Sequence, residues 1–246
     1  MSRRAKSIHS TPPKISIPLF DRLCCAWKYL TRTMGRRALR KIDPALEYAD
    51  WLWTVEELPN PWDDAAVFAQ AAPLEVELGS GKGLFLAGAA QQHPGRNFLG
   101  IELAQKYASF AAARLARAGL ANARMVQGDG LRVFREILPS ETLAAVHVYF
   151  PDPWWKARHK KRRVMNESFL RDAERTLRAG GSLHFWTDVE EYFHAGLEAV
   201  REFTSLDGPL AVPERPAAHD LDYRTHFERR TRLHGQEVYR AEFRKR

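Results

Sequence analysis

Five times between residues 74 and 203 the chain sets a short apolar run ahead of a stretch with helical periodicity. The runs lie at 74–78, 98–102, 125–127, 146–150 and 183–187; the helical stretches lie at 84–92, 104–117, 131–138, 167–178 and 189–203. Runs this short, each followed by a helix, build parallel strands joined by crossover helices. Crossovers of that kind are right-handed almost without exception, so the fold class is α/β: a mostly parallel, doubly wound, Rossmann-like sheet. Gly180 and Gly181 precede the fifth strand, where a left-handed cap is expected to end the fourth helix. Past residue 203, Pro209, Pro213 and Pro216 predict a loop over 207–218, and 237–243 alternates as a last strand.

At 246 residues, 45% of them hydrophobic, the chain has material for one such unit with extensions. Its 38 Lys and Arg against 30 Asp and Glu leave a net charge of +8, which favours a polyanionic partner such as nucleic acid. Residues 1–50 hold 11 basic side chains against four acidic ones, so most of the excess sits in an N-terminal arm. Pro12, Pro13 and Pro18 argue for irregular structure at its start, and 21–39 reads as a short basic helix. A solvated tail and an RNA-contacting arm both fit this composition. The expected organisation is therefore a basic extension over 1–70, partly disordered or helical, and a single domain over 71–246. Cys24 and Cys25 are adjacent, so they neither staple a fold nor find zinc ligands at suitable spacing, and a reducing cytoplasm fits best. No run reaches the ~18 apolar residues of a membrane span. The opening has neither the apolar segment of a secretory signal nor the amphipathic period of a transit peptide, so the expectation is a cytoplasmic protein without membrane or metal.

The first strand runs into E-L-G-S-G-K-G at 77–83, a turn whose glycines let the backbone bend sharply and approach a ligand closely. A dinucleotide fingerprint requires its third glycine where this chain has Leu84, and the phosphate-gripping G-x-x-x-x-G-K-[ST] is absent. An acid two positions before Gly79 instead suits a cationic, phosphate-free ligand, and S-adenosylmethionine carries an ammonium and a sulfonium. Glu102 ends the second strand 19 residues after Gly83, where a carboxylate can accept from two ribose hydroxyls. Asp129 follows the third strand and can accept from an adenine amine. Taken singly, each acid reads as a solvated strand end. Three at successive carboxyl ends, the face where such sheets bind ligands, point to a nucleoside site.

The fourth strand runs into F-P-D-P-W-W-K-A-R-H-K-K-R-R-V at 150–164. Two prolines stiffen the backbone around Asp152, and six of the eight residues from 156 to 163 are Lys or Arg. Charge runs are usually wet surface, but this one adjoins the ligand face, which favours contact with a phosphate backbone. Trp154 can stack on a base or plug the core beneath the loop. His147 is expected to pack within its strand and His159 to be one more polar member of the basic run.

In these segments, and in Gly180, Gly181, Thr187, Asp188 and the tail 225–228, the chain resembles the bacterial tRNA (guanine-N7)-methyltransferases over roughly residues 70–246. The P-D-P-W-x-K-x-R-H-x-K-R-R loop is the most specific part of the likeness. The resemblance implies a class I S-adenosylmethionine-dependent methyltransferase fold that modifies the guanosine of the tRNA variable loop. It further implies that Glu77, Gly79, Gly81, Gly83, Glu102, Asp129 and Asp152 bind S-adenosylmethionine, with Asp152 also beside the target base as the catalytic residue. Lys156, Asp188, Thr225, His226, Phe227 and Glu228 would contact the substrate, and Arg158, Lys160, Lys161, Arg162 and Arg163 the tRNA backbone. The chain departs from the family pattern at Trp155, where proline is usual, at Ala157 and Lys160, and at His226, where lysine is usual. The first bears on the loop's shape; the last removes a fixed positive charge.

Guanine N7 carries a lone pair and no proton, so in-line attack on a sulfonium methyl needs no general base and positioning supplies most of the catalysis. The product base is cationic, and a carboxylate such as Asp152 aimed at that charge counts for more in a dry pocket. Asp152 or Asp188 can instead accept from the N1–H and exocyclic amine of guanine, which rejects adenine. Three alternatives stay open: a silent tRNA-binding module on the same fold, a methyltransferase acting on another RNA, and a nicotinamide-dependent oxidoreductase. Monomer and homodimer are both compatible with the sequence.

Overall fold

Eight strands form one sheet: β1 (Leu52–Thr54), β2 (Leu74–Leu78), β3 (Asn97–Glu102), β4 (Ala123–Gln127), β5 (Leu143–Tyr149), β6 (Leu177–Thr187), β7 (Asp207–Ala211) and β8 (Tyr239–Arg244). Their spatial order is β1-β4-β3-β2-β5-β6-β8-β7. This is a computed structural model that describes residues 39–246 apart from 215 and 218–222; the expected helix at 21–39 and the two cysteines fall almost wholly outside the described residues. All pairs from β1 to β6 are parallel, while β8 runs antiparallel between β6 and β7. The intervening helices are α1 (Leu84–Gln92), α2 (Gln105–Arg117), α3 (Glu167–Thr176) and α4 (Glu190–Phe203), with α5 (His226–Leu233) ahead of the last strand. The expected doubly wound, mostly parallel sheet is the one observed.

The chain moves from β2 outward through β3 to β4, then returns to lay β5 and β6 on the other side of β2. That reversal opens a crevice at the carboxyl ends of β2 and β5, the switch point at which open α/β sheets take ligands. The glycine turn leaves β2 there, and the Pro-Asp-Pro loop leaves β5 beside it.

Strand alternation gives the sheet two unlike faces. Val76, Val146, Val148, Leu183 and Phe185 belong to a continuous apolar core with Phe134, Phe169, Leu170 and Tyr192. On the opposite face Glu77 lies across from His147, His147 from His184, and Tyr149 from Trp186. The centre of a buried sheet thus carries a row of polar and aromatic side chains.

Ahead of residue 70, β1 pairs with β4 within the compact unit that begins at Lys41. Two expectations are corrected. The prolines at 207–218 do not exclude a strand: β7 holds Pro209, and being an edge strand it loses no ladder bond for the missing N–H. Gly180 and Gly181 do not cap α3, which ends at Thr176 and passes directly into extended backbone at Leu177. Pairing with β5 jumps from Leu143 opposite Leu177 to Ala145 opposite Ser182, so 178–181 bulge out of the strand. Gly180 takes φ +73°, and a Cβ on Gly181 would lie 2.9 Å from the carbonyl oxygens of Arg178 and Leu143.

Trp51, just ahead of β1, donates its indole N–H to the Leu120 carbonyl at 2.8 Å and packs on the cluster between α2 and the sheet. Trp51→Ala should cost about 2 kcal/mol of unfolding free energy in urea, from lost burial and one lost bond. A variant as stable as the parent would mean that residues 41–54 are an appendage.

Candidate functional site

Glu77 is buried at the end of β2, and its Oε2 has no hydrogen-bond partner among the described residues. Burial, opposed by Ser80 and reinforced by the charge of Glu102, pushes its carboxyl up to about 8. Such a group is costly unless a ligand brings a donor or a positive charge to it. The turn that follows is pinned from behind, since the amides of Gly79 and Ser80 both donate to the Ile101 carbonyl, at 2.8 and 3.0 Å. Gly79 and Gly81 take φ of +80° and +52°, and a Cβ on either would meet nothing within 4 Å, so open space fronts the backbone. Gly83 has a different duty: a Cβ there would lie 2.7 Å from that of Ala111, so its bareness lets α1 pack on α2.

Glu102 closes the other side. Its Oε2 accepts from the Gly81 amide and its Oε1 from that of Ala104, both at 2.9 Å, which fixes the carboxylate while leaving lone pairs outward. Asp129 is exposed at the end of β4, one oxygen accepting from the Leu131 amide at 2.9 Å. The three acids therefore stand at the ends of neighbouring strands. An orphaned buried carboxylate, an open glycine turn and a braced carboxylate fit a cationic nucleoside such as S-adenosylmethionine.

The Pro-Asp-Pro loop begins with Phe150 at φ +50°, its amide donating to the Trp186 carbonyl at 2.8 Å. Asp152 is exposed beyond it. Arg163 is not available to phosphates, contrary to expectation: it is 7% exposed. Its Nε donates to the Pro153 carbonyl at 2.8 Å, its Nη1 and Nη2 grip Glu191 at 3.1 and 2.6 Å, and its guanidinium lies 4.5 Å from the Tyr192 ring centre. It ties both ends of the loop to α4, and that grip, with Lys160 at 2.8 Å, holds the Glu191 carboxyl near 2. Lys156, Arg158, Lys161 and Arg162 remain on the surface. Trp154 is half-buried, with Arg162 5.1 Å from its ring centre and His159 edge-on, whereas Trp155 is 70% exposed. Asp188 is exposed at the end of β6.

In the tail, Thr225 caps α5, accepting from the Glu228 amide at 3.0 Å. Glu228, expected at the substrate, is only 4% exposed; it accepts from the Arg224 amide at 2.7 Å and pairs with Arg240 at 3.2 Å and Arg232 at 3.4 Å. Its duty is to anchor the tail. His226 Nε2 lies 3.3 Å from Arg114, whose Nε donates to the Lys82 carbonyl at 3.1 Å, which links the tail to the glycine turn. Phe227 is exposed and stacks on Phe150 at 6.0 Å.

Sequence reasoning missed Glu75, Tyr149, Glu191, Arg224 and Arg240. Three of them have a readable signal: Glu75-x-Glu77, His147-x-Tyr149, His184-x-Trp186 and Arg240-x-Glu242 repeat polar or amphipathic residues at the strand period on one face; Arg224 meets that face from the tail. His147 does pack within its strand, bonded to Glu75 and Tyr149. Among the described residues no cluster of three His, Cys, Asp or Glu is arranged to hold a metal, and no helix is long and apolar enough to cross a membrane.

A family described as "Putative methyltransferase" matches residues 71–241. A tRNA (guanine-N(7)-)-methyltransferase of Rhodopirellula baltica is 48% identical over 219 residues, covering 87% of this chain and 81% of that one. One of Sodalis glossinidius is 36% identical over 235 residues, 93% and 96% of the two chains. Among solved structures, the 16S rRNA methyltransferase KamB superposes with a TM-score of 0.54 at 18% identity, over 74% of this chain and 94% of that one, which is a likeness of fold.

An acid whose carboxyl is raised in the folded chain is protonated in both states at low pH; as pH rises from the ordinary 4.5 through about 8 the unfolded chain ionises while the buried group holds its proton, so stability falls. Glu77→Gln removes that cost. Its Tm should match the parent's at the acid end of this window and exceed it increasingly toward the alkaline end. A difference independent of pH would show that Glu77 is not the strained group.

Proposed function

The chain belongs to the bacterial tRNA (guanine-N7)-methyltransferase family, and we propose that it transfers the methyl group of S-adenosylmethionine to N7 of the guanosine in the tRNA variable loop. The observation that carries this reading is the unpartnered Oε2 of the buried Glu77 carboxyl beside an open glycine turn, on the same sheet edge as an exposed cationic loop. Bound S-adenosylmethionine supplies an activated methyl on a sulfonium. Glu77 offers its free oxygen to the cationic end of that ligand, Glu102 its braced carboxylate to ribose hydroxyls, and Asp129 an acceptor to the adenine amine.

Guanine N7 has no proton to lose, so the protein's task is orientation and exclusion of water. Asp152, held at the crevice mouth by a loop that Arg163 clamps to α4, faces the positive charge that develops on the base. Asp188 accepts from the N1–H and exocyclic amine of guanine, which adenine cannot supply. Lys156, Arg158, Lys161 and Arg162 neutralise tRNA phosphates, a set from which Arg163 is now removed and in which Lys160 shares its charge with Glu191. The reading places the protein in the cytoplasm, where both reactants occur.

Two measurements test it. Asp152→Asn should lower single-turnover methyl transfer to tRNA by about a hundredfold or more, while S-adenosylmethionine affinity by calorimetry changes only a few-fold; an undiminished rate removes Asp152 from the reaction. Replacing Arg158, Lys161 and Arg162 together by Ala should reduce the slope of log Kd against log salt by about 2 to 3. An unaltered slope would mean that tRNA binds elsewhere. Scission chemistry specific for 7-methylguanosine reports the modified position.

A further inference from the structure

The polar face of the sheet contains a continuous hydrogen-bonded chain that ends at the tail. Glu75 pairs with Arg96, the residue before β3, and lies 2.8 Å from His147 Nε2; His147 Nδ1 lies 2.9 Å from the Tyr149 hydroxyl, and Arg224 Nη1 lies 3.0 Å from that hydroxyl. Glu75, His147 and Tyr149 are each at most 6% exposed. Burial opposes charge on Glu75, but the bond and charge of Arg96, with the hydrogen bond to His147, outweigh it and keep the group ionised. Burial lowers the His147 pKa, so the imidazole is neutral and has one N–H to give.

These facts fix the direction of every bond. The ionised Glu75 can only accept, so the single imidazole proton is on Nε2 and points at it. Nδ1 is then an acceptor and takes the Tyr149 O–H. The phenol oxygen, having given its proton inward, has only lone pairs for the tail, and the partner that meets them is a guanidinium. Arg224 is held besides by stacking, 5.0 Å from the Trp186 ring centre and 6.0 Å from that of Phe85. Phe85 itself packs on both His147 and Tyr149 at 4.6 and 4.9 Å and belongs to α1, the helix that the glycine turn opens.

We propose that Tyr149 and Arg224 are positioning residues that seat the tail 225–233 over the carboxyl edge, with His147 and Glu75 setting the phenol's hydrogen bond so that it accepts only from the tail. The arrangement couples the two halves of the site: a tail displaced from Tyr149 leaves a buried phenol oxygen bare and a guanidinium without its acceptor, so the seated state is the favoured one. That the tail serves tRNA rests on the function proposed above; that it is seated this way does not.

The test uses the full chain and Tyr149→Phe, which deletes one oxygen and keeps the ring. Hydrogen exchange of the free protein should show amides of 225–233 exchanging about tenfold faster, the loss of one bond to a charged group, with β2 and β5 unchanged. With tRNA and S-adenosylmethionine, KM for tRNA should rise about tenfold while kcat and the S-adenosylmethionine Kd stay within about threefold. Arg224→Met, which reaches the same contact from the surface side, should reproduce both effects and serves alone if Tyr149→Phe does not fold. Unchanged exchange in the tail overturns the proposal, as does a fall in kcat at constant KM. Faster tail exchange in a chain that methylates no tRNA would leave the seating intact and overturn the functional reading alone.

Discussion

Two carboxylates two residues apart on one strand, buried on the same face of a central sheet, are the constraint around which this molecule is arranged. Neither Glu75 nor Glu77 can be left ionised in a dry interior without compensation. The fold resolves them in opposite ways. Glu75 is given Arg96 and His147 and becomes part of the framework. Glu77, one pleat nearer the carboxyl edge, keeps an oxygen without a partner. The difference lies in their neighbours: Glu75 meets Arg96 and His147, whereas Glu77 is followed by the glycine turn, where open space fronts the backbone of Gly79 and Gly81.

The alternation of apolar and helical runs made the parallel half of the sheet legible, because parallel strands are buried on both faces and read as near-continuous apolar segments. The same rule hid the polar face. His147 and Tyr149 sit within an apolar run and look like tolerated exceptions until the pairing of Glu77 with His147 and of Tyr149 with Trp186 brings them into register. Pairing partners distant in sequence are not encoded in any local period, and Arg224 lies 75 residues from the hydroxyl that it meets. The glycine pair at 180–181 was misread for a related reason: a left-handed glycine after a helix suits a cap, but a bulge that realigns β6 with β5 and β8 needs the same backbone freedom. Pro209 misled because only the sheet order shows that its strand is an edge.

A run of like charge has no single fate. In the loop after β5 the cations divide by what lies beneath them. Arg163 turns inward because Glu191 and the Tyr192 ring at the start of α4 offer a carboxylate and a π-face at the right separation. That inward arginine closes the loop from Pro153 to Arg163 into a ring, and the ring presents the others outward. Removing the inward charge would therefore disturb the outward ones, although it touches no phosphate itself. Trp154 and Trp155 repeat the division: the first braces the loop beneath Arg162, while the second projects into solvent.

The site joins two structural systems of unlike origin. The parallel strands β2 to β4 supply the carboxylates, while β8, which reverses direction, returns the chain across β6 and brings Arg240 5.0 Å from the Trp186 ring centre. Arg224 lies equally near that ring, so two guanidiniums share one indole. Like charges so placed repel, and Glu228 offsets one of them: its carboxylate pairs with the Arg240 guanidinium while also accepting from the backbone amide of Arg224. The buried acid of the tail thus neutralises a guanidinium that has been drawn into the interior, whereas Glu75 is itself the buried member of its pair with the exposed Arg96. Glu228 is consequently part of what keeps Arg224 against Tyr149, and a tail motif that looks like a row of substrate contacts owes its shape to the one member that faces inward.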